Sequence, residues 1–203
     1  MIDSRASYVS ATGCFVAQVA AIPVDALPGP GLGDWDLRSL VGHASRSLVT
    51  VETYLDQPAE EVEVPTAAAY YLRIAEAGGT TTPAITERGR QAGLAMGDDP
   101  AAFVRDLASR VTDKLRAYDD AYLLTTIAGA MRLDEYLRTR IFELVVHGLD
   151  IAVACGVDPA FDEEPVVDAT TLAAEVAARS GRAPGVLLAL TGRRSLPPDF
   201  TIF

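Results

Sequence analysis

One apolar segment that carries three polar side chains constrains this sequence more than any other feature. Residues 141–155, IFELVVHGLDIAVAC, are apolar on nearly every side when arranged as a helix, so the helix is expected to lie inside a bundle. Glu143, His147 and Asp150 interrupt it at spacings of four and three, which places them in one row on one helical face. Because an uncompensated carboxylate is costly to bury, this row needs a positive partner.

A divalent metal ion is one such partner. A Glu and a His one helical turn apart can coordinate the same ion, and catalytic zinc sites commonly combine two His with one carboxylate. The chain has only two histidines, so the second imidazole would be His43, on the flank of the apolar stripe of the predicted second helix. The pattern therefore predicts a site made of His43, Glu143 and His147, with zinc as the leading ion and nickel or iron as alternatives.

The same residues also allow an interpretation without a metal. Glu143 could pair with Arg138 or Arg140, His147 could be a hydrogen-bonded core histidine, and His43 could be partly exposed. The Glu and His spacing alone is a weak motif, so the residue pattern leaves both interpretations open.

Helix-period patterns separated by Pro and Gly predict an all-α fold. Asp36 is expected to cap the second helix, and Gly156 to end the longest one. Residues 1–157 are predicted to form a metal-binding helical bundle, and residues 158–203 a short C-terminal extension, a helix plus a β or extended tail from residue 185, packed on that bundle. The predicted helices are about 4–21, 36–56, 67–77, 83–96, 101–118, 132–155 and 164–180.

Composition excludes several classes of function. The net charge is −11 and no basic run is present, which argues against a nucleic-acid partner. No apolar run reaches the roughly 18 residues that a membrane span requires. Cys14 and Cys155 lack the spacing of a metal or redox motif, and each is interpreted as a small, buried apolar residue. These features predict a soluble, cytoplasmic protein.

Three segments resemble a known family, the mycothiol-dependent maleylpyruvate isomerases of the DinB-like superfamily. They are DWDLRSLVGHASR at 34–46, RTRIFELVVHGLDIAVACG at 138–156 and, more weakly, LLALTGR at 187–193. The resemblance implies a DinB-like four-helix bundle in which His43, Glu143 and His147 bind a divalent metal, usually zinc. Family enzymes carry a larger C-terminal domain than residues 156–203 provide, which leaves the isomerase reaction itself open.

The resemblance implies an enzyme that uses mycothiol, a low-molecular-weight thiol, as cosubstrate. Metal coordination would deprotonate the thiol, which would attack a small electrophile in S-transfer or in isomerisation. Two alternatives are a zinc-water hydrolase and a non-catalytic bundle that binds a small ligand. A homodimer is plausible for the family.

Further residues are candidates for the surroundings of the site. Asp150 could orient an imidazole or simply be solvated, Tyr136 and Arg140 could face the substrate or lie at the bundle edge, and Trp35 could line a pocket or pack before the second helix. The pair Arg193 and Arg194 could contact an anionic substrate or be solvated surface residues.

Overall fold

The computed structural model describes residues 3–78 and 83–202, and this part of the chain is mostly helical. A short 3-10 turn, Val24–Ala26, follows the first helix, and one antiparallel hairpin precedes the longest helix. The elements are α1 (Ser4–Ala20), α2 (Leu37–Tyr54), α3 (Ala67–Glu76), α4 (Pro83–Ala95), α5 (Pro100–Leu115), β1 (Leu123–Thr126), β2 (Gly129–Arg132), α6 (Leu133–Cys155), α7 (Glu163–Arg179) and α8 (Ala183–Leu190).

Four of these helices form a bundle. Helices α1 and α2 each pack against both α5 and α6, while α4 lies on α2, and α7 covers parts of α6, α1 and α3. Leu40 of α2, Leu107 of α5 and Leu137 of α6 are among the fully buried residues that fill the interior. The prediction of an all-α four-helix bundle with additional short helices is confirmed.

The ends of two helices follow the predicted capping chemistry. The side chain of Asp36 accepts a hydrogen bond of 2.7 Å from the backbone N–H of Ser39, which satisfies a donor at the start of α2. Gly156 ends α6 with φ of 65°, a left-handed conformation that glycine adopts without steric cost. Asp36 thereby fixes the start of α2, and Gly156 fixes the end of α6.

A hairpin stands between α5 and α6 where the sequence predicted no strands. Its strands, β1 and β2, are four residues each, which is too short to give a clear alternation of apolar and polar residues. The preceding polar segment, 57–64, runs along this hairpin: the backbone N–H of Ala59 donates to the carbonyl of Leu123 at 3.0 Å, and that of Glu63 to Ala130 at 2.8 Å. The segment is therefore anchored by backbone hydrogen bonds.

The C-terminal tail differs from its prediction in its first part. The β or extended structure predicted from residue 185 is wrong as far as residue 190, because helix α8 occupies Ala183–Leu190. Pro184 lies in its first turn, and residues 187–190, LLAL, all favour a helix. Residues 191–202 form no helix or strand, and Phe203 lies outside the described residues. Leu172 and Val176 of α7 join the main core, while the boundary at 157 stays a prediction.

None of the helices in the described part of the chain combines the length and the hydropathy that crossing a membrane would require.

Candidate metal centre

Helices α2 and α6 bring the three predicted ligands together. His43 lies at the edge of the apolar face of α2, while Glu143 and His147 lie one turn apart on α6. One ligand-type atom from each residue lies within 4.8 Å of those from the other two. Nε2 of His147 lies 3.3 Å from Oε2 of Glu143.

Both oxygens of Glu143 have partners in this cluster. Oε2 faces His147, and Oε1 accepts a hydrogen bond of 2.8 Å from the hydroxyl of Tyr71 in α3. The alternative pairing of Glu143 with an arginine is not formed: Arg138 pairs with Asp168 instead, and no ion pair joins Arg140 to Glu143. The carboxylate is thus directed at His147 and Tyr71.

His147 lies between two carboxylates. Its Nδ1 is 3.1 Å from Oδ2 of Asp150, one turn further along α6, while its Nε2 faces Glu143. A hydrogen bond at Nδ1 fixes the orientation of the ring and leaves Nε2 available as a ligand atom. Asp150 therefore lies where it can hold the imidazole in place.

Trp35 covers the His43 side of the cluster. The indole and the His43 ring have centroids 4.5 Å apart, and the His43 and His147 rings meet edge to face at 4.8 Å. The indole Nε1 donates to the carbonyl of Thr86 at 2.9 Å, which fixes Trp35 against α4. Gly89 of α4 makes room for it, since a Cβ there would lie 2.6 Å from the ring.

The pKa values of the three side chains all differ strongly from their ordinary values. Burial, with the nearby charge of His147, lowers the pKa of His43 to about 4, so this imidazole is neutral near pH 7. Burial alone would raise the pKa of Glu143, but the hydrogen bond from His147 and the charge of Arg140 outweigh it and hold the pKa at about 2. Glu143 is therefore ionised at neutral pH.

The pKa of His147 moves in the opposite direction. Burial lowers it, yet hydrogen bonds to Asp150 and Glu143 together raise it to about 9. The two carboxylates thus favour a positive charge between them, which a proton or a metal ion can supply. Metal binding would displace that proton, since an imidazole ligand must be neutral.

The donor set fits a divalent ion. Two ligands of a tetrahedral zinc, each bonded at its usual length, lie about 3.3 Å apart, which matches the separation of His147 and Glu143. A ligand-type atom of His43 lies within 4.8 Å of those of the other two residues. Nδ1 of His43 is buried and has no hydrogen-bond partner among the described residues, which is unusual for a buried polar atom.

Comparison with known families identifies the scaffold. Residues 13–152 match the family model described as the mycothiol maleylpyruvate isomerase N-terminal domain. The chain belongs to this family. No curated protein and no solved structure gives a significant match.

The family match includes all three candidate ligands as well as Trp35 and Asp150. In this member of the mycothiol maleylpyruvate isomerase family, Tyr136 and Arg140 are both buried and contact each other, so neither lies at the bundle edge. Arg193 and Arg194 in the C-terminal tail, which could contact an anionic substrate or be solvated, are exposed.

Both cysteines were predicted to be buried, and neither of them is fully buried. Cys14 and Cys155 are both half-buried, and Cys155 packs against the core, where burial raises the pKa of its thiol. A raised pKa keeps the thiol protonated and makes it a poor nucleophile.

Three residues beside the site were missed by the sequence analysis. Tyr71 contacts Glu143, Tyr70 lies against Arg140, and Arg46 is one turn from His43 on α2. The spacing of Arg46 from His43 was a readable signal. No comparable signal marked Tyr70 and Tyr71, because the chain alone does not tell which face of the short helix α3 meets α6.

Proposed function

We propose that this protein is a metal-dependent enzyme that uses a low-molecular-weight thiol, mycothiol in view of its family, as cosubstrate with a small electrophile. The observation that carries the proposal is the convergence of His43, Glu143 and His147 from two helices into one cluster. Family membership supports the thiol. S-transfer and isomerisation are both compatible with this arrangement.

The protein side chains would each have a defined task. His43 is neutral and offers a lone pair, Glu143 is ionised and directed by Tyr71, and His147 is held by Asp150. A bound divalent ion, for which zinc is the leading candidate and nickel or iron also suit these ligands, lowers the pKa of a coordinated thiol. Trp35 packs over the His43 ring and covers that side of the cluster.

The number of ligands favours an enzyme over a structural ion. Structural zinc sites are usually closed by four protein ligands, whereas catalytic sites use three and leave a position for water or substrate. Within residues 3–78 and 83–202, the metal-binding cluster contains three candidate ligands. The partial exposure of Glu143 and His147, 23% and 15% of their side chains, lets a small molecule approach them.

Metal analysis is the first test. The native chain and His147→Ala are purified without chelator or nickel resin, and their metal is measured by elemental analysis. We expect about one zinc per native chain and loss of zinc in the variant. Glu175→Gln, which changes a carboxylate on α7 outside the cluster, is the matched control and should keep its metal. A native protein that takes up no metal after zinc is added would refute the proposal.

A thiol panel then separates the enzymatic alternatives. Metal-loaded protein is given mycothiol, other low-molecular-weight thiols or none, together with model electrophiles and ester substrates. Metal-dependent consumption of thiol supports the proposal, whereas ester hydrolysis without thiol would indicate a zinc-water hydrolase. Binding without turnover of any substrate would indicate a ligand-binding bundle.

A further inference from the structure

The outward face of α7, a helix that the structure describes in full, is uncharged along most of its length. The exposed residues between positions 165 and 178 are Val166, Val167, Thr170, Thr171, Ala174 and Ala178. The two valines are 37% and 46% exposed. The outward face of a surface helix normally carries charged and strongly polar side chains, so this face has the composition of one that a partner covers.

Helix α5, which is nearly as long and also has one exposed side, shows the usual arrangement. Its exposed positions include Arg105, Asp106, Arg110 and Asp113. Arg105 pairs with Asp106 at 3.1 Å, and Arg110 pairs with Glu52 of α2 at 2.9 Å. Contact with water alone therefore does not account for an uncharged face on α7.

Charged side chains of opposite sign stand at the two ends of α7. Glu163 and Glu164 are exposed in its first turn, while Arg179 is exposed in its last turn and Arg182 follows the helix. None of these four residues forms an ion pair with another described residue. Charges of these signs complement the helix macrodipole, which explains the two ends but not the uncharged face between them.

A helix of this kind is complementary to a second copy of itself. Two chains related by a two-fold axis would present their α7 helices antiparallel, so that the acidic start of each helix lies beside the arginine end of the other. Thr170 and Thr171 lie about midway along the helix, near the axis, where small side chains let the two helices approach closely. Attraction at both ends would offset the repulsion between two chains that each carry a net charge of −11.

We propose that the outward face of α7 is a docking surface for a second copy of this chain, and that the two copies form a symmetric, antiparallel dimer. A second copy meets both ends of the helix with the opposite charge, whereas an anionic lipid surface or an acidic protein would be repelled by Glu163 and Glu164. Helix α7 lies outside the residues matched to the family, 13–152, so this surface belongs to the C-terminal extension. The inference does not depend on the metal or on the proposed reaction.

The size of this surface implies a weak dimer. The 17 residues of α7 make a helix about 25 Å long and about 10 Å across. Helix α8, which packs on α7, adds Leu187 and Leu190, which are 61% and 73% exposed. Pairing through these helices covers on the order of a few hundred Å² on each copy, against about 800 Å² in a standard interface. We therefore expect a dissociation constant on the order of 10–100 µM and a strong dependence on salt.

Sedimentation equilibrium of the full chain between about 5 and about 500 µM tests the dimer, because this range brackets the expected dissociation constant. The dissociation constant should be at least about 10-fold higher in about 0.5 M salt than in about 0.05 M salt, since salt screens the paired ends. Thr170→Glu brings two carboxylates together near the axis and should weaken the dimer at least about 10-fold. A native chain that stays monomeric throughout overturns the proposal, and so does an unweakened dimer of folded Thr170→Glu.

Charge reversal tests the antiparallel arrangement. One variant combines Arg179→Glu with Arg182→Glu, and the other combines Glu163→Arg with Glu164→Arg. Each variant alone meets its own copy with like charges at both ends, so its dissociation constant should rise at least about 10-fold. An equimolar mixture restores opposite charges at both ends and should give a heterodimer of native affinity. Two folded variants that do not associate with each other overturn the arrangement.

A control variant and a lipid surface complete the test. Arg88→Glu makes the same charge change at an exposed arginine of α4, which packs on α2, and should leave the dimer unchanged. Melting temperatures establish that each variant is folded. The native chain is also sedimented with vesicles of phosphatidylcholine and phosphatidylserine. Binding to these vesicles through Arg179 and Arg182 by a chain that does not dimerise would assign the arginine end to anionic lipid and overturn the proposal.

Discussion

The crossing of α2 and α4 leaves no space for a side chain at Gly42, the residue before His43. A Cβ at this position would lie 2.6 Å from the backbone carbon of Ala92 and from Cα of Gly93, and nearer still to the nitrogen of Gly93. Carbon atoms normally approach to about 3.5–4.0 Å, so Gly42→Ala must separate the two helices by about 1 Å. Both obstacles are backbone and cannot rotate away.

The expected cost follows from two opposing effects. Alanine favours the helix over glycine by about 1 kcal/mol, whereas overpacking of this kind costs about 1–3 kcal/mol. Because backbone obstructs the new methyl group, we expect the upper part of that range and a net loss of about 1–2 kcal/mol. For a chain of this size, each kcal/mol lowers the melting temperature by about 2–4 °C.

Thermal unfolding of Gly42→Ala and Gly13→Ala tests this reasoning. Gly13 lies on the exposed side of α1, where a Cβ would meet nothing within 4 Å, so alanine there should raise the melting temperature. Zinc affinity should fall in Gly42→Ala, since α2 carries His43, and stay unchanged in Gly13→Ala. A Gly42→Ala protein that melts at or above the native temperature would show that the crossing is not tight.

Three further substitutions have defined outcomes. Tyr71→Phe removes the hydrogen bond to Glu143 and should weaken zinc binding about 10-fold, measured by competition with a chromophoric chelator. Asp150→Asn should weaken it about 10- to 100-fold in the same assay, because the carboxylate that holds His147 is lost; unchanged affinity would mean that Asp150 does not orient the ring. The pKa of Asp168 is raised by its burial, so the native fold loses stability as pH rises through that pKa. The melting temperature of Asp168→Asn minus that of the native protein should therefore increase from pH 4 to pH 7. A difference that stays constant over this range would contradict the reasoning.

The long, strongly patterned elements were predictable from the sequence. Glu143 and His147 could be placed on one face because helical spacing alone determines it, and the scarcity of histidine pointed to His43. The C-terminal end of α6 followed from Gly156. These signals are local or compositional, which is why they could be read without a structure.

Other features depend on tertiary contacts that leave no local pattern. The hairpin of β1 and β2 is stabilised by pairing with the segment 57–64, and its short strands have no recognisable period. The contact between Tyr71 and Glu143 requires α3 to pack against α6 across a long stretch of sequence. Arg140 was a candidate, but its contacts with the rings of Tyr70 and Tyr136 could only be found once the packing of α3 against α6 was known.

The candidate ligands lie on two helices that are far apart in the sequence. Binding of the metal ion is therefore linked to folding by mass action. His43 and Glu143 are separated by on the order of 100 positions, so an unfolded chain holds no preformed site and the ion binds essentially the native state alone. With free zinc at about 100 times its dissociation constant, this linkage adds about 2.7 kcal/mol to the free energy of unfolding. The amount of folded protein in a cell would then vary with the supply of the metal.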